Sequence, residues 1–117
     1  SLSHSLGGVD PRLHHGTLNA MFLPAVVAFN STAESVQKEN RLQRMAHAMG
    51  LSSASDIGAA LKDMNARLGL PSGLAAMGVD ASMFDQIITG AMADHCHKTN
   101  PRIATQDEYR EMLVQAL

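Results

Sequence analysis

Three of the six histidines of this chain fall between His4 and His15, in the stretch His4-Ser-Leu-Gly-Gly-Val-Asp-Pro-Arg-Leu-His14-His15-Gly16. Imidazole is the commonest metal ligand among side chains, and its ordinary pKa lies near neutrality. Histidines gathered at a glycine- and proline-broken junction between two apolar runs therefore make a candidate metal or acid–base site. The segment stands at the very start of the sequence, so the expectation is that any site it serves is completed from elsewhere.

The remaining chemistry-bearing residues read differently. His95-Cys96-His97 has the composition of a metal cluster. It lacks a second pair of ligands at a suitable spacing and sits at a helix end before a turn, so it is expected to be solvated or structural. His47 falls on a polar helix and is expected to be exposed. The eight methionines recur at helical spacing without any Met-rich repeat, which makes them core filler and not a copper site. Asn100-Pro101-Arg102 reads as a structural turn.

The elements that must position these residues are helical. Ser1 to Leu6 reads as the last turns of a helix whose beginning is missing, closed by Gly7-Gly8, with a loop around Asp10-Pro11 after it. His15 to Asn30 is apolar nearly all round, the mark of a buried helix, and Pro24 should kink it by removing one backbone donor. Ala33 to Met49 is amphipathic, with Leu42, Met45 and Met49 on one stripe and Gly50 as its stop. Ser53 and Asp56 suit the start of the next helix, which carries Ile57, Leu61, Met64 and Leu68 at helical periodicity. Asp80 can cap a helix bearing Met83, Phe84, Ile87, Ile88, Ala91 and Met92. Thr105-Gln-Asp-Glu108 is a capping box for the last one. The expected fold is all-α: a single helical domain over residues 1–117, an irregular bundle of about five helices plus the tail of a sixth, with no persistent heptad.

Bulk properties narrow the function. The 117 residues are one domain's worth. Only 17% are charged, below the ~25% usual for a soluble domain, which suits either a surface partly covered by another domain or subunit or an ordinary helical domain with a modest surface. The net charge is −2, the basic residues are scattered, and aromatics make up 3% of the chain, so nucleic acid is excluded as a partner. The longest apolar run, Ala20 to Phe29, contains Pro24 and falls far short of the ~20 residues that span a bilayer. A single cysteine, Cys96, excludes an internal disulfide and fits a reducing, cytoplasmic setting.

The order His4-x-Leu-Gly-Gly…His15-Gly16-x-x-Asn19-Ala20-x-x-Leu23-Pro24, followed by Leu68-Gly-Leu-Pro71, Gly78-Val79 and Asn100-Pro-Arg102…Thr105, resembles the C-terminal helical domain of iron-containing (group III) alcohol dehydrogenases over essentially the whole chain. That resemblance implies an NAD(P)-binding α/β domain preceding this one. It also implies a divalent iron, with zinc as the alternative, held by one aspartate and three histidines. Of these four, the aspartate and two histidines would lie upstream of Ser1, and the last matches His15. His4 matches a position that is not a ligand but lies near the nicotinamide and substrate, where it positions groups or handles a proton. One departure bears on the ligand. Family spacing counted from His4 selects His14, whereas the adjacent Gly16 and the Thr17-Leu18-Asn19-Ala20 run select His15.

The implied activity is oxidation of an alcohol to an aldehyde or ketone, or the reverse, with NAD or NADP accepting or donating hydride. A divalent ion makes the hydroxyl proton easier to remove, and the nicotinamide supplies the redox chemistry. The implied partners are a small alcohol or aldehyde, the chain's own N-terminal domain and a homo-oligomer of unspecified order. Two other classes stand beside this one. A stand-alone metal-binding protein would use His4, His14, His15 and His95 or His97. A structural or interaction module would show no metal dependence at all. The 117 residues contain no glycine-rich nucleotide loop, so on the dehydrogenase reading they are inactive alone.

Overall fold

A computed structural model describes all residues, 1–117, and contains no strand. Seven α-helices follow one another: α1 (Leu2–Val9), α2 (His15–Asn30), α3 (Glu34–Lys38), α4 (Arg41–Ala48), α5 (Ile57–Arg67), α6 (Phe84–Ala93) and α7 (Gln106–Ala116). Short 3₁₀ turns precede α5 and α6, and another, His95–Thr99, follows α6. No helix is long and apolar enough to cross a membrane.

The all-α expectation holds, but several local details differ from the sequence reading. Helix α2 is buried on one side only, through Leu18, Met21, Phe22 and Ala25, and Leu23 is exposed; Met49, Met64 and Leu68, expected on core-facing stripes, are exposed as well. Two helix boundaries also differ. Gly7-Gly8 does not end α1. The helix runs through both glycines to Val9, and the Asp10 amide still reaches the Leu6 carbonyl at 2.9 Å. Glycine permits a helix end without compelling one. Here Leu2 and Leu6 bury themselves in the core and hold the last turn in place. The amphipathic helix expected over Ala33 to Met49 is instead two helices, divided at Asn40, which takes the left-handed conformation (φ 50°) that asparagine tolerates better than most residues.

The other boundaries follow the chain's chemistry. Gly50 and Gly69 close α4 and α5 at φ 75° and 70°. In each case the next amide bonds back around the turn, Leu51 to Ala46 and Leu70 to Asn65, so orphan carbonyls are satisfied. Asp80 accepts from the Ser82 amide at 2.8 Å, and Thr105 and Glu108 form the reciprocal capping box of α7. Pro24 leaves α2 in one piece. Proline has no N–H to give to the carbonyl four residues back, which is that of Ala20. The Asn65 amide, from α5, donates to that carbonyl at 3.0 Å instead.

Two apolar clusters result. The larger joins α1, α2, α6 and α7 around Leu6, Leu18, Phe22, Phe84, Ile87 and Leu113. The smaller consists of Ala46, Ile57 and Leu61 between α4 and α5. Helix α1 lies on α6 so closely that a Cβ at Gly90 would run into the Ser5 hydroxyl, which donates to the Ile87 carbonyl at 2.6 Å. That contact fixes α1, and with it His4, against the end of α6. The Asn100-Pro101-Arg102 turn is structural, as expected. Asn100 and Asn30 exchange amide hydrogen bonds, and the Arg102 guanidinium lies 4.1 Å from the Phe29 ring centre while pairing with Glu108. The turn thus ties the end of α2 to the start of α7.

Candidate functional site

His15 is the first residue of α2, and the preceding loop sets where it stands. The Asp10 carboxylate accepts both the Arg12 backbone amide, at 3.1 Å, and its guanidinium, at 2.7 and 2.9 Å. These bonds hold the Asp10 carboxyl down at about 2 and curl the loop before the helix begins. His14 precedes the helix in an extended conformation, and its carbonyl takes the first helical bond, from Leu18, at 3.0 Å. Its ring lies over Gly16: a Cβ there would sit 3.2 Å from His14 Cε1. The missing side chain of Gly16 therefore makes room for the imidazole of His14. The two neighbouring histidines part company at this point, since the ring of His15 turns toward α1.

There it stacks on His4, with ring centres 5.2 Å apart and planes within 17°. His95 also stacks on His4, at 5.9 Å and 21°. Three imidazoles contributed by α1, α2 and the turn after α6 thus gather along one open edge of the bundle. All three are exposed.

Asp94 stands beside these rings. It begins the 3₁₀ turn, and one of its oxygens accepts the Cys96 amide at 2.7 Å. The other lies 2.9 Å from His4 Nδ1. Burial pushes the Asp94 carboxyl up, but the Cys96 amide and His4 outweigh it and hold the group below the ordinary carboxylate range. Cys96 Sγ approaches His95 Nε2 at 3.3 Å. Donor atoms of His4, Asp94 and Cys96 all lie within 4.8 Å of one another.

The triplet His95-Cys96-His97 therefore divides. His97 is buried and bonded to the Tyr109 hydroxyl at 2.9 Å, a structural role. His95 and Cys96 face His4. Nothing in the sequence around Asp94 marks it as more than an aspartate that suits a cap before a turn. It is a cap, and its second oxygen is the part that the sequence hid. His47 is exposed and bonds only to Gln43.

A largely apolar cavity of about 640 Å³ opens between the start of α1, α2, the end of α5 and the segment around Cys96 to Ala104. Leu2, Phe22, Val26, Leu68 and Tyr109 line it, and Cys96 belongs both to its wall and to the histidine edge.

Comparison with known proteins places the chain in a family. Residues 1–117 match the family model described as "Fe-containing alcohol dehydrogenase family, C-terminal". The 4-hydroxybutyrate dehydrogenase of Cupriavidus necator is 53% identical over 100% of this chain, which covers 32% of that protein. The NAD-dependent methanol dehydrogenase of Bacillus methanolicus is 35% identical over 100% of the chain and 32% of its own length. The 1-propanol dehydrogenase PduQ of Salmonella typhimurium is 33% identical over 100% of the chain and 34% of its own length. The chain thus spans about a third of the curated relatives it matches. No solved structure matches it. With a match from first residue to last, and with His4 and His15 brought together at one edge of an all-helical bundle, the chain belongs to the iron-containing alcohol dehydrogenase family and corresponds to its C-terminal part.

Proposed function

We propose that this chain is the metal-binding helical part of an NAD(P)-dependent alcohol dehydrogenase, completed by a nucleotide-binding domain upstream. The observation that carries the reading is the His4–His15 stack at 5.2 Å on an exposed edge, in a chain whose family match has no gap at either end. Cytoplasmic residence belongs to the same proposal, on the strength of the single cysteine.

The donor chemistry fits a divalent iron or zinc ion. His15 is exposed, and neither of its ring nitrogens is engaged by another group of the chain, so it has a lone pair to give. One imidazole does not hold an ion, and the remaining donors belong to upstream residues. The start of α2 is also mildly unfavourable to a cation, so a carboxylate among those donors must supply the attraction. When bound, such an ion supplies Lewis acidity toward a hydroxyl or carbonyl oxygen. The chain's own part is to hold His15 at the start of α2, a helix seated on the core by Leu18, Met21, Phe22 and Ala25, and to keep His4 beside the reacting groups. There His4 orients the alcohol and passes its proton between the site and solvent. Small alcohols and their aldehydes or ketones are the substrate class. Within it, the 53% identity to a 4-hydroxybutyrate dehydrogenase favours a short hydroxy acid over methanol or propanol.

The test is NAD(P)-linked turnover by the full-length protein on 4-hydroxybutyrate, methanol and 1-propanol, with bound metal measured alongside. The reading expects turnover, with the hydroxy acid preferred. It also expects His4→Ala to keep its metal while kcat falls on the order of 100-fold. Absence of turnover on every alcohol, or wild-type kcat in His4→Ala, would count against it.

A second reading has one observation in its favour: the clustered donor atoms of His4, Asp94 and Cys96 suit an ion bound by this chain alone. It expects tight, stoichiometric metal binding by the 117-residue chain that survives His15→Ala.

A further inference from the structure

We infer that Asp94 is a positioning residue for His4: its carboxylate fixes which of the two ring nitrogens of His4 bears hydrogen and which keeps its lone pair. The inference rests on the dehydrogenase reading for its purpose, but its geometry stands independently of turnover.

Two constraints act on the His4 ring, and they do different things. Stacking with His15 at 5.2 Å and with His95 at 5.9 Å fixes the plane of the ring. A stack says nothing about which edge of the ring points where. The contact between His4 Nδ1 and Asp94 Oδ2 at 2.9 Å settles the edge. An ionised carboxylate only accepts hydrogen bonds, so Nδ1 must be the nitrogen bearing hydrogen, and neutral His4 keeps its lone pair on Nε2. Nothing else in the chain bonds to Nε2.

Asp94 is well placed to impose this order. Its side chain is 13% exposed, against 43% for His4, and its other oxygen is pinned by the Cys96 amide at 2.7 Å. The backbone thus anchors the carboxylate, and the carboxylate anchors the ring. A merely structural Asp94 would cap the 3₁₀ turn and do no more. Asparagine caps as well as aspartate, so Asp94→Asn separates the two roles. In that variant the side-chain oxygen keeps the Cys96 amide, while its NH₂ group faces His4 and can only donate. Nδ1 must then accept, and the proton moves to Nε2.

The experiment reads the tautomer first and the rate second. Nitrogen NMR of the labelled 117-residue chain, recorded with the imidazoles neutral, reports the state of His4, assigned by its loss in His4→Gln; circular dichroism verifies the fold of each variant. The expected result is Nδ1–H in the wild type and Nε2–H in Asp94→Asn. In the full-length protein Asp94→Asn should lower kcat by about 10- to 100-fold, with KM and metal content within about twofold of wild type. A His4 tautomer that Asp94→Asn does not move overturns the inference. So does an unchanged kcat in a variant whose tautomer has moved. An inactive wild type with His4 held as Nδ1–H would defeat the dehydrogenase reading and leave the positioning pair intact.

Discussion

The two ends of this bundle are held together by different means. The α1–α2–α6–α7 body has a continuous apolar interior in which Leu6, Leu18, Ile87 and Leu113 are fully buried. The α4–α5 end has three buried residues at its centre, Ala46, Ile57 and Leu61. Its order comes instead from backbone closure: two glycine-ended helices and the Gln43 side chain, which bonds to both the Ser52 carbonyl and the Ala54 amide at 3.0 Å. The histidine edge is built on the first kind of ground, its rings standing on α1, on α2 and on the turn that leaves α6. Imidazoles that must keep a fixed relation need elements that do not open independently, and such elements share one core.

The contrast is open to direct tests. Its largest effect comes from emptying each cluster in turn. Leu18→Ala should cost about 2–5 kcal/mol and lower the cooperative melting transition of the whole chain. Ile57→Ala removes a similar volume, but its effect should concentrate in α4 and α5. Hydrogen exchange would then rise there while α6 and α7 amides stay protected. Equal loss of protection across all helices in Ile57→Ala would dissolve the distinction.

A smaller effect belongs to the one polar link that joins the two ends. Asn65→Ala leaves the Ala20 carbonyl without its partner inside a proline-containing helix, and should cost about 1–3 kcal/mol. Denaturant unfolding measures it. A stability equal to wild type would mean that the carbonyl finds water.

Acid provides the smallest. The Asp94 carboxyl sits below its ordinary 3.8. A depressed acid stabilises the fold fully above its ordinary value, and that contribution disappears as pH falls through the folded value. The wild type should therefore lose stability as pH falls below about 4, and Asp94→Asn should lose less over the same window. The difference is modest because part of the depression comes from charge–charge attraction that salt screens. Parallel acid-melting curves for the two proteins would remove Asp94 from the account of this edge.

Much of this organisation was legible in the residues themselves. A long apolar run placed α2, periodicity and caps placed α5, α6 and α7, and the resemblance to a family pattern singled out His4 and His15 as candidates. What stayed hidden was tertiary. No spacing rule says that Asp94, ninety residues from His4, turns its second oxygen onto that ring. None says that Asn65 supplies the hydrogen bond that Pro24 denies Ala20. Asn40 divides a helix that propensity alone would carry through, because its left-handed conformation belongs to the turn between two packed pieces. The split within His95-Cys96-His97 has the same origin. A 3₁₀ turn points successive residues in different directions, and the spacing does not tell that His97 is the one that meets Tyr109.

The account depends most on the imidazole at the head of α2. Metal analysis of the full-length protein, comparing wild type with His15→Ala and His14→Ala, addresses it directly. The account predicts metal retained in His14→Ala, and in His15→Ala metal lost together with a fall in turnover on the order of 100-fold or more. Full occupancy in His15→Ala, or loss confined to His14→Ala, would contradict it.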